Sequence, residues 1–294
     1  MIPAPFDYHR PGTLDEAVAL LARHGDAAKV LSGGMSLLPV LKLRLGAVEH
    51  LVDIGRIPGL DYIKEDGGVL KIGGAAKQAA LERSELIAAK LPIVRDAVVL
   101  IADPLVRNRA TAGGNLANGD PGNDLPAVMI ALGATLVVRG PKGERTIAAN
   151  QFYKGIFTTA LAADEILTEV RIPLPPARSG GAYLKLKRKV GDFAVAAAAV
   201  QVTLDAKGAI ERAGIALTNA GATPVEASDA ASYLAGKLVG TSGDDKVVAE
   251  ASRLAAAKSA PSADRRGSVE YKQEMARVLV GRALRKAVAR AGGR

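Results

Sequence analysis

The sequence predicts an α+β chain of two domains, on three observations. Short apolar runs of strand character alternate with amphipathic segments up to residue 172. Pro173-Leu174-Pro175-Pro176 and then Ser179-Gly180-Gly181 break the chain there. The charge balance changes at the same place. Residues 1–177 hold 19 Lys/Arg and 19 Asp/Glu, whereas residues 178–294 hold 20 and 11, so the net charge of +9 lies in the second part. The expected division is therefore 1–177, with a seam at Pro58-Gly59 giving subdomains of about 1–58 and 59–177, followed by a domain at 178–294 with a small antiparallel sheet and helices.

Residues 1–10 read as an extended arm. Thr13-Leu14-Asp15-Glu16 is a capping box, with Thr13 as N-cap, and Leu14, Val18 and Leu21 give the helix an apolar stripe that Gly25 ends. Lys29–Leu31 and Glu49–Ile54 read as strands, with a short helix from Leu37 to Leu43 that Pro39 interrupts. Val69–Ile72 is a strand leaving at Gly73-Gly74, and helices follow near Gln78–Arg83 and Pro92–Leu100. Residues 111–124 read as a long loop, followed by a helix over Leu125–Leu132, a strand at Ala134–Val138, a turn at Gly140–Gly143 and a strand at Ile166–Ile172. Ala182–Arg188, Ala194–Leu204 and Ile210–Leu217 read as strands, and from Pro224 onward the chain reads as Ala-rich helix.

Composition excludes several chemistries. There is no Cys, so disulfides, thiolate zinc sites and iron–sulfur clusters on this chain are ruled out. His9, His24 and His50 stand far apart in sequence and read as structural or surface residues, so no metal site is expected. Aromatics are 3% of the chain and Trp is absent, which leaves few stacking platforms for bases, and the basic half has no recognition motif. That basic half reads as a solvated helical surface, an acidic partner's docking face or a membrane-facing one. The apolar runs Leu125–Val138 and Phe193–Leu204 are too short to span a bilayer, and no export leader is evident. A cytoplasmic protein is expected, with peripheral membrane association left open.

Two stretches carry the chemistry. Ser32-Gly33-Gly34-Met35-Ser36 follows one apolar run, and Thr111-Ala112-Gly113-Gly114-Asn115 opens another polar stretch that continues to Asp124. Paired glycines let the backbone approach a ligand closely, and exposed N–H groups beside a helix start suit a phosphate. Two such loops could grip a diphosphate from both sides, with Ser32, Ser36 and Thr111 supplying hydroxyls. Asp124 stands where a helix N-cap is expected. There is no Gly-x-Gly-x-x-Gly after a strand, no Gly-x-x-x-x-Gly-Lys-Ser/Thr and no Gly-x-Ser-x-Gly, so a Rossmann domain, a P-loop and a hydrolase elbow are not indicated.

The two loops, with Phe6–Pro11, Ile101-Ala102-Asp103-Pro104 and Lys185–Phe193, resemble the FAD-binding medium subunit of molybdenum hydroxylases, the xanthine dehydrogenase family, in its carbon monoxide-oxidising branch. The likeness runs along nearly the whole chain. It implies the two-subdomain FAD-binding fold of the vanillyl-alcohol oxidase (PCMH) type. It implies diphosphate loops at Ser32, Gly33, Gly34, Met35, Ser36 and at Thr111, Ala112, Gly113, Gly114, Asn115, with Ile101, Asp124, Leu167 and Lys185 near the cofactor and Phe193 beside the flavin ring. It also implies a large partner subunit with the molybdenum cofactor and a small one with [2Fe-2S] clusters, in a dimer of heterotrimers. Electrons would pass through FAD to quinone, NAD or oxygen. Met35 stands where relatives often carry a polar residue such as His, Ala112 where Ile is common, and Phe193 where Tyr is seen in close relatives. An N-heterocycle or aldehyde hydroxylase with the same architecture remains an alternative, as does a basic scaffold protein whose Gly-Gly pairs are only turns.

Overall fold

A computed structural model describes residues 1–240 and 245–292. The chain begins with β1 (Asp7–His9), α1 (Leu14–His24), β2 (Ala28–Leu31), α2 (Leu37–Lys42) and β3 (His50–Asp53). The capping box of α1 forms as its spacing requires. Thr13 Oγ1 accepts from the Glu16 amide at 3.2 Å, and the Glu16 carboxylate accepts from the Thr13 and Gly12 amides at 3.3 and 2.7 Å. Gly25, at φ +53°, ends the helix. Ala17, Val18 and Leu21 are buried. The strands form a parallel sheet in the order β1-β3-β2. Pro39 does not interrupt α2, because in a first turn its missing N–H has no intrahelical partner to lose.

The next unit runs through β4 (Ile63–Asp66), β5 (Val69–Gly73), α3 (Gln78–Arg83), α4 (Glu85–Lys90), α5 (Pro92–Val98), α6 (Pro104–Arg107), α7 (Ala112–Ala117), α8 (Asp124–Ala131), β6 (Thr135–Gly140), β7 (Gly143–Ala148), α9 (Ala149–Phe152), β8 (Tyr153–Gly155), β9 (Thr158–Thr159) and β10 (Ile166–Pro173). Its main sheet is antiparallel in the order β4-β5-β10-β6-β7. Every residue of α8 is buried, as a helix apolar on all sides must be. Asp124 does not cap α8, contrary to expectation. Asn123 is the N-cap and Asp124 is the first helical residue. The stretch 111–124 is also not one loop, since α7 occupies its middle. A six-residue helix rich in Gly and Asn leaves no apolar period to read.

The remaining elements are β11 (Ser179–Leu186), β12 (Ala196–Leu204), β13 (Ile210–Thr218), β14 (Val225–Glu226), α10 (Ser228–Leu234), α11 (Lys246–Ala257) and α12 (Val269–Ala291), with an antiparallel sheet in the order β11-β12-β13-β14. The low-complexity run in β12 has a packing reason. Ala197 and Ala199 join the core around α8, whereas Ala196, Ala198 and Val200 join the core under α12. Both faces are covered at close range, so small side chains fit. Glycines mark the closest approaches. A Cβ at Gly180 would stand 2.2 Å from the Ala287 carbonyl of α12, and one at Gly214 would stand 2.1 Å from the Ala131 carbonyl of α8.

Asp96 on α5 anchors α12. Arg290 donates to it at 2.6 and 3.0 Å, and Lys286 at 3.3 and 3.4 Å. Arg253 pairs with Glu250, Arg277 with Glu274 and Lys272 with Asp264, so part of the charge is paired locally while the excess of bases over acids in this half stands. Among the described residues no helix is long and apolar enough to cross a membrane. Gly214→Ala is expected to force β13 away from α8 and to destabilise the chain by about 1–3 kcal/mol, the usual range for overpacking. Thermal unfolding followed by circular dichroism checks this.

Candidate binding site between two glycine loops

The first glycine loop, Ser32–Ser36, links β2 to α2, and the second leads from Thr111 into α7. They are stitched together. Ser32 Oγ and Thr111 Oγ1 lie 2.9 Å apart, and Thr111 Oγ1 also accepts from the Gly114 amide at 3.0 Å, so one hydroxyl caps α7 and holds the opposite loop. A Cβ on Gly33 would stand 2.4 Å from the Arg109 carbonyl, so the first loop packs directly on the strand of chain entering the second. Gly34 adopts φ +76°, a left-handed value that suits glycine.

The third glycine pair, read as a plain strand exit, is the floor of this arrangement. The Gly74 carbonyl accepts from the Gly113 amide at 2.9 Å, and a Cβ on Gly113 would meet that carbonyl at 2.6 Å and the Leu167 side chain at 3.0 Å. Leu167 itself is buried at the β10 bulge. Lys77 and Thr111 form an isolated antiparallel bridge beside it.

These contacts change the expected division of labour between the loops. The amides of Ala112, Gly113 and Gly114 are bonded to the Ala76 carbonyl, the Gly74 carbonyl and Thr111 Oγ1. They hold α7 in place and are not left over for an anion. No partner for the amides of Gly33, Gly34, Met35 or Ser36 occurs among the described residues. A left-handed residue within such a run is what lets successive N–H groups converge on one point. Gly114 is exposed, and a Cβ there would meet only Thr111 Oγ1, at 2.8 Å, and the Ser32 Cβ, at 3.9 Å. It therefore faces the gap between the loops. Asn115 Oδ1 is buried without a hydrogen-bond partner among the described residues, an acceptor suited to a ligand hydroxyl.

Beneath the loops lies a buried polar group. Asp124 is 3% exposed. Its carboxylate accepts from the Tyr183 hydroxyl at 2.5 Å and from Lys185 Nζ at 2.8 Å, and Lys185 also reaches the Leu100 carbonyl at 3.3 Å. Burial pushes the Asp124 carboxyl up, against the pull of Lys185 and the Tyr183 hydroxyl. Burial, with Asp124 beside it, raises the Tyr183 phenol well above its usual range. Asp124 and Lys185, predicted as separate cofactor neighbours, are thus each other's partner, with the Lys185 side chain 2% exposed.

Ile101 is buried in the turn before α6, its carbonyl held at 2.9 Å by Arg107, which also pairs with Glu82. Phe193 is 46% exposed and packs against Gly122, where a Cβ would stand 3.1 Å from its ring. Asn123 Nδ2 ties that segment back to the Asn115 carbonyl at 2.8 Å. Asp192 bonds Arg188 at 3.1 Å and Arg266 at 2.9 Å, so the Phe193 loop is fixed by ion pairs. Sequence reasoning missed Gly74, Asn123, Tyr183 and Asp192. Only Asp192 carried a signal, as a charge beside Gly191 in a polar turn. The histidines also differ from expectation. His9, His24 and His50 are scattered along the chain but adjacent in space, because β1 pairs with β3 and the end of α1 lies over both.

The fold and these loops define a nucleotide-cofactor domain outside the Rossmann and P-loop types. Residues 4–175 match the family described as FAD binding domain in molybdopterin dehydrogenase, and residues 181–287 match CO dehydrogenase flavoprotein C-terminal domain. The chain belongs to the FAD-binding flavoproteins of the molybdopterin dehydrogenases. It is 49% identical to the carbon monoxide dehydrogenase medium chain of Afipia carboxidovorans and 44% identical to that of Hydrogenophaga pseudoflava, each over 99% of both chains. A chain in the structure of reconstituted CO dehydrogenase from Oligotropha carboxidovorans aligns with a TM-score of 0.95 at 48% identity, covering 99% of this chain and 100% of that one.

Two outcomes are expected. Gly114→Val puts a branched side chain between the loops and against Thr111 Oγ1. It should lower the FAD retained per chain at least tenfold with secondary structure unchanged, measured by flavin absorbance and circular dichroism. The Arg266 bond holds the Asp192 carboxyl down, at about 2, against burial, with Arg188 assisting. A depressed carboxyl stabilises the fold above its unfolded value near 3.8 and loses that contribution as pH falls towards 2. The melting-temperature gap between the native chain and Asp192→Asn should therefore be full at neutral pH and close between about pH 4 and pH 2.

Proposed function

We propose that this chain is the FAD-carrying, electron-transferring medium subunit of a carbon monoxide dehydrogenase of the molybdenum hydroxylase type. The observation that carries the reading is the stitched pair of glycine loops, in a chain related along its length to carbon monoxide dehydrogenase medium chains. When bound, FAD supplies a carrier between the electron donors of partner subunits and an external acceptor.

The chain's own residues bind and orient. The amides of residues 33–36 offer donors to the diphosphate, with Ser32 and Ser36 beside them. Thr111 sets the distance between the loops through its bond to Ser32. Gly114 keeps the approach clear of a side chain, and Gly113 lets α7 sit directly on the Gly74 carbonyl. Asn115 offers an acceptor to a ligand hydroxyl, Leu167 supports the floor, and Phe193 flanks the entrance from a loop pinned at Asp192. Asp124 and Lys185 act at one remove, holding the start of α8 against β11. Met35 and Ala112 line the same loops, and Ile101 shapes the turn beneath the Phe193 loop.

In this reading 1–177 is the FAD domain, divided near residue 58, and 178–294 is the C-terminal domain. The partners are a large molybdenum-cofactor subunit and a small [2Fe-2S] subunit in a dimer of heterotrimers, located in the cytoplasm or at the inner face of its membrane. The absence of Cys supports this division of labour, since the clusters need thiolate ligands that this chain lacks. The test is to purify the chain with its natural partners and assay acceptor reduction with carbon monoxide. One FAD per chain, with carbon monoxide-dependent reduction that Gly114→Val removes, is expected. Reduction driven by an N-heterocycle or aldehyde, and not by carbon monoxide, would contradict the substrate assignment.

A further inference from the structure

His9 ends β1, His24 ends α1 and His50 begins β3, so three elements distant in sequence deliver three imidazoles to one place. His9 Nε2 lies 3.2 Å from His50 Nδ1. The His24 and His50 ring centroids are 3.7 Å apart, and those of His9 and His24 are 5.5 Å apart. One ring nitrogen from each residue lies within 4.8 Å of the other two. The Asp7 carboxylate stands 3.5 Å from His50 Nδ1, because β1 and β3 pair in the register that sets Asp7 opposite His50. All three histidines are partly buried.

Neutral stacking accounts for this cluster incompletely. The His9–His50 contact uses one ring nitrogen of each, and His24 has ring contacts but no side-chain hydrogen bond among the described residues. Three imidazoles converging beside a carboxylate form a donor set suited to a borderline-soft divalent cation. Tetrahedral zinc with Zn–N bonds of about 2.0–2.1 Å separates its ligand nitrogens by about 3.4 Å. The 3.2 Å pair is already at that spacing, and a His24 ring nitrogen lies within 4.8 Å of both.

We propose that His9, His24 and His50 form a binding site for a divalent transition-metal cation, zinc being the probe, with Asp7 as an outer oxygen donor. The site lies apart from the glycine loops. Its ligands span residues 9–50, and that span encloses Ser32–Ser36. A bound cation cross-links the N-terminal arm, α1 and β3, and so braces the small parallel sheet that presents the first glycine loop. A cation that binds the folded state alone stabilises it by mass action, so it should raise the melting temperature.

The test uses the full chain without a polyhistidine tag, whose imidazoles would compete. Zn2+ is titrated against a chromophoric chelator, and melting is followed with and without stoichiometric Zn2+. One Zn2+ per chain is expected, with affinity falling at least tenfold in His24→Ala and the zinc-induced rise in melting temperature lost in that variant. His9→Gln serves as a second variant, with circular dichroism and FAD content confirming that both fold. Absence of stoichiometric binding in the native chain would overturn the proposal, as would binding that both variants leave unchanged.

Discussion

The Asp124 carboxylate sits at the point where the two halves of the chain meet. It lies at the start of α8, a helix buried along its whole length between the FAD-domain core and the C-terminal sheet, and it is held by Tyr183 and Lys185 of β11. Removing one member of such a buried pair leaves an uncompensated charge, a loss on the order of 3–5 kcal/mol. The loop that precedes Asp124 is tied through Asn123 to Asn115, and α7 is tied through Thr111 to Ser32. A polar chain of contacts therefore runs from the C-terminal sheet to both glycine loops. The C-terminal domain is part of what keeps the loops in place.

The loops divide their work. Those of α7 spend their amides on Gly74, Ala76 and Thr111, which makes the second loop a rigid wall. The first loop keeps its amides and carries the left-handed Gly34, which makes it the anion-facing side in the proposed reading. Glycine is required for two different reasons. At Gly33, Gly74 and Gly113 another backbone is too close for a Cβ, whereas at Gly114 a side chain would enter the gap between the loops.

Much of this was legible in the sequence, and the failures have physical causes. The capping box at Thr13, the break after Pro173 and the two polar glycine stretches announced themselves through local chemistry. The short elements β4, α4, α6 and α7 did not, because four to six residues are too few for a periodic pattern. The Asp124–Lys185 pair and the histidine cluster depend on pairings across 61 and 41 residues, which no local pattern records. Gly73-Gly74 looked bland because its function is carried by a carbonyl and a missing Cβ, neither of which a polar side chain advertises.

The central claim is that a diphosphate lies between the two loops with the first loop as donor. A crystal structure of the chain with FAD, in complex with its partners, tests it most directly. The account predicts diphosphate oxygens within hydrogen-bond distance of the amides of residues 33–36, with Gly114 against the phosphates. FAD bound with its diphosphate away from both loops, or held by the α7 amides after they leave Gly74 and Ala76, would contradict it.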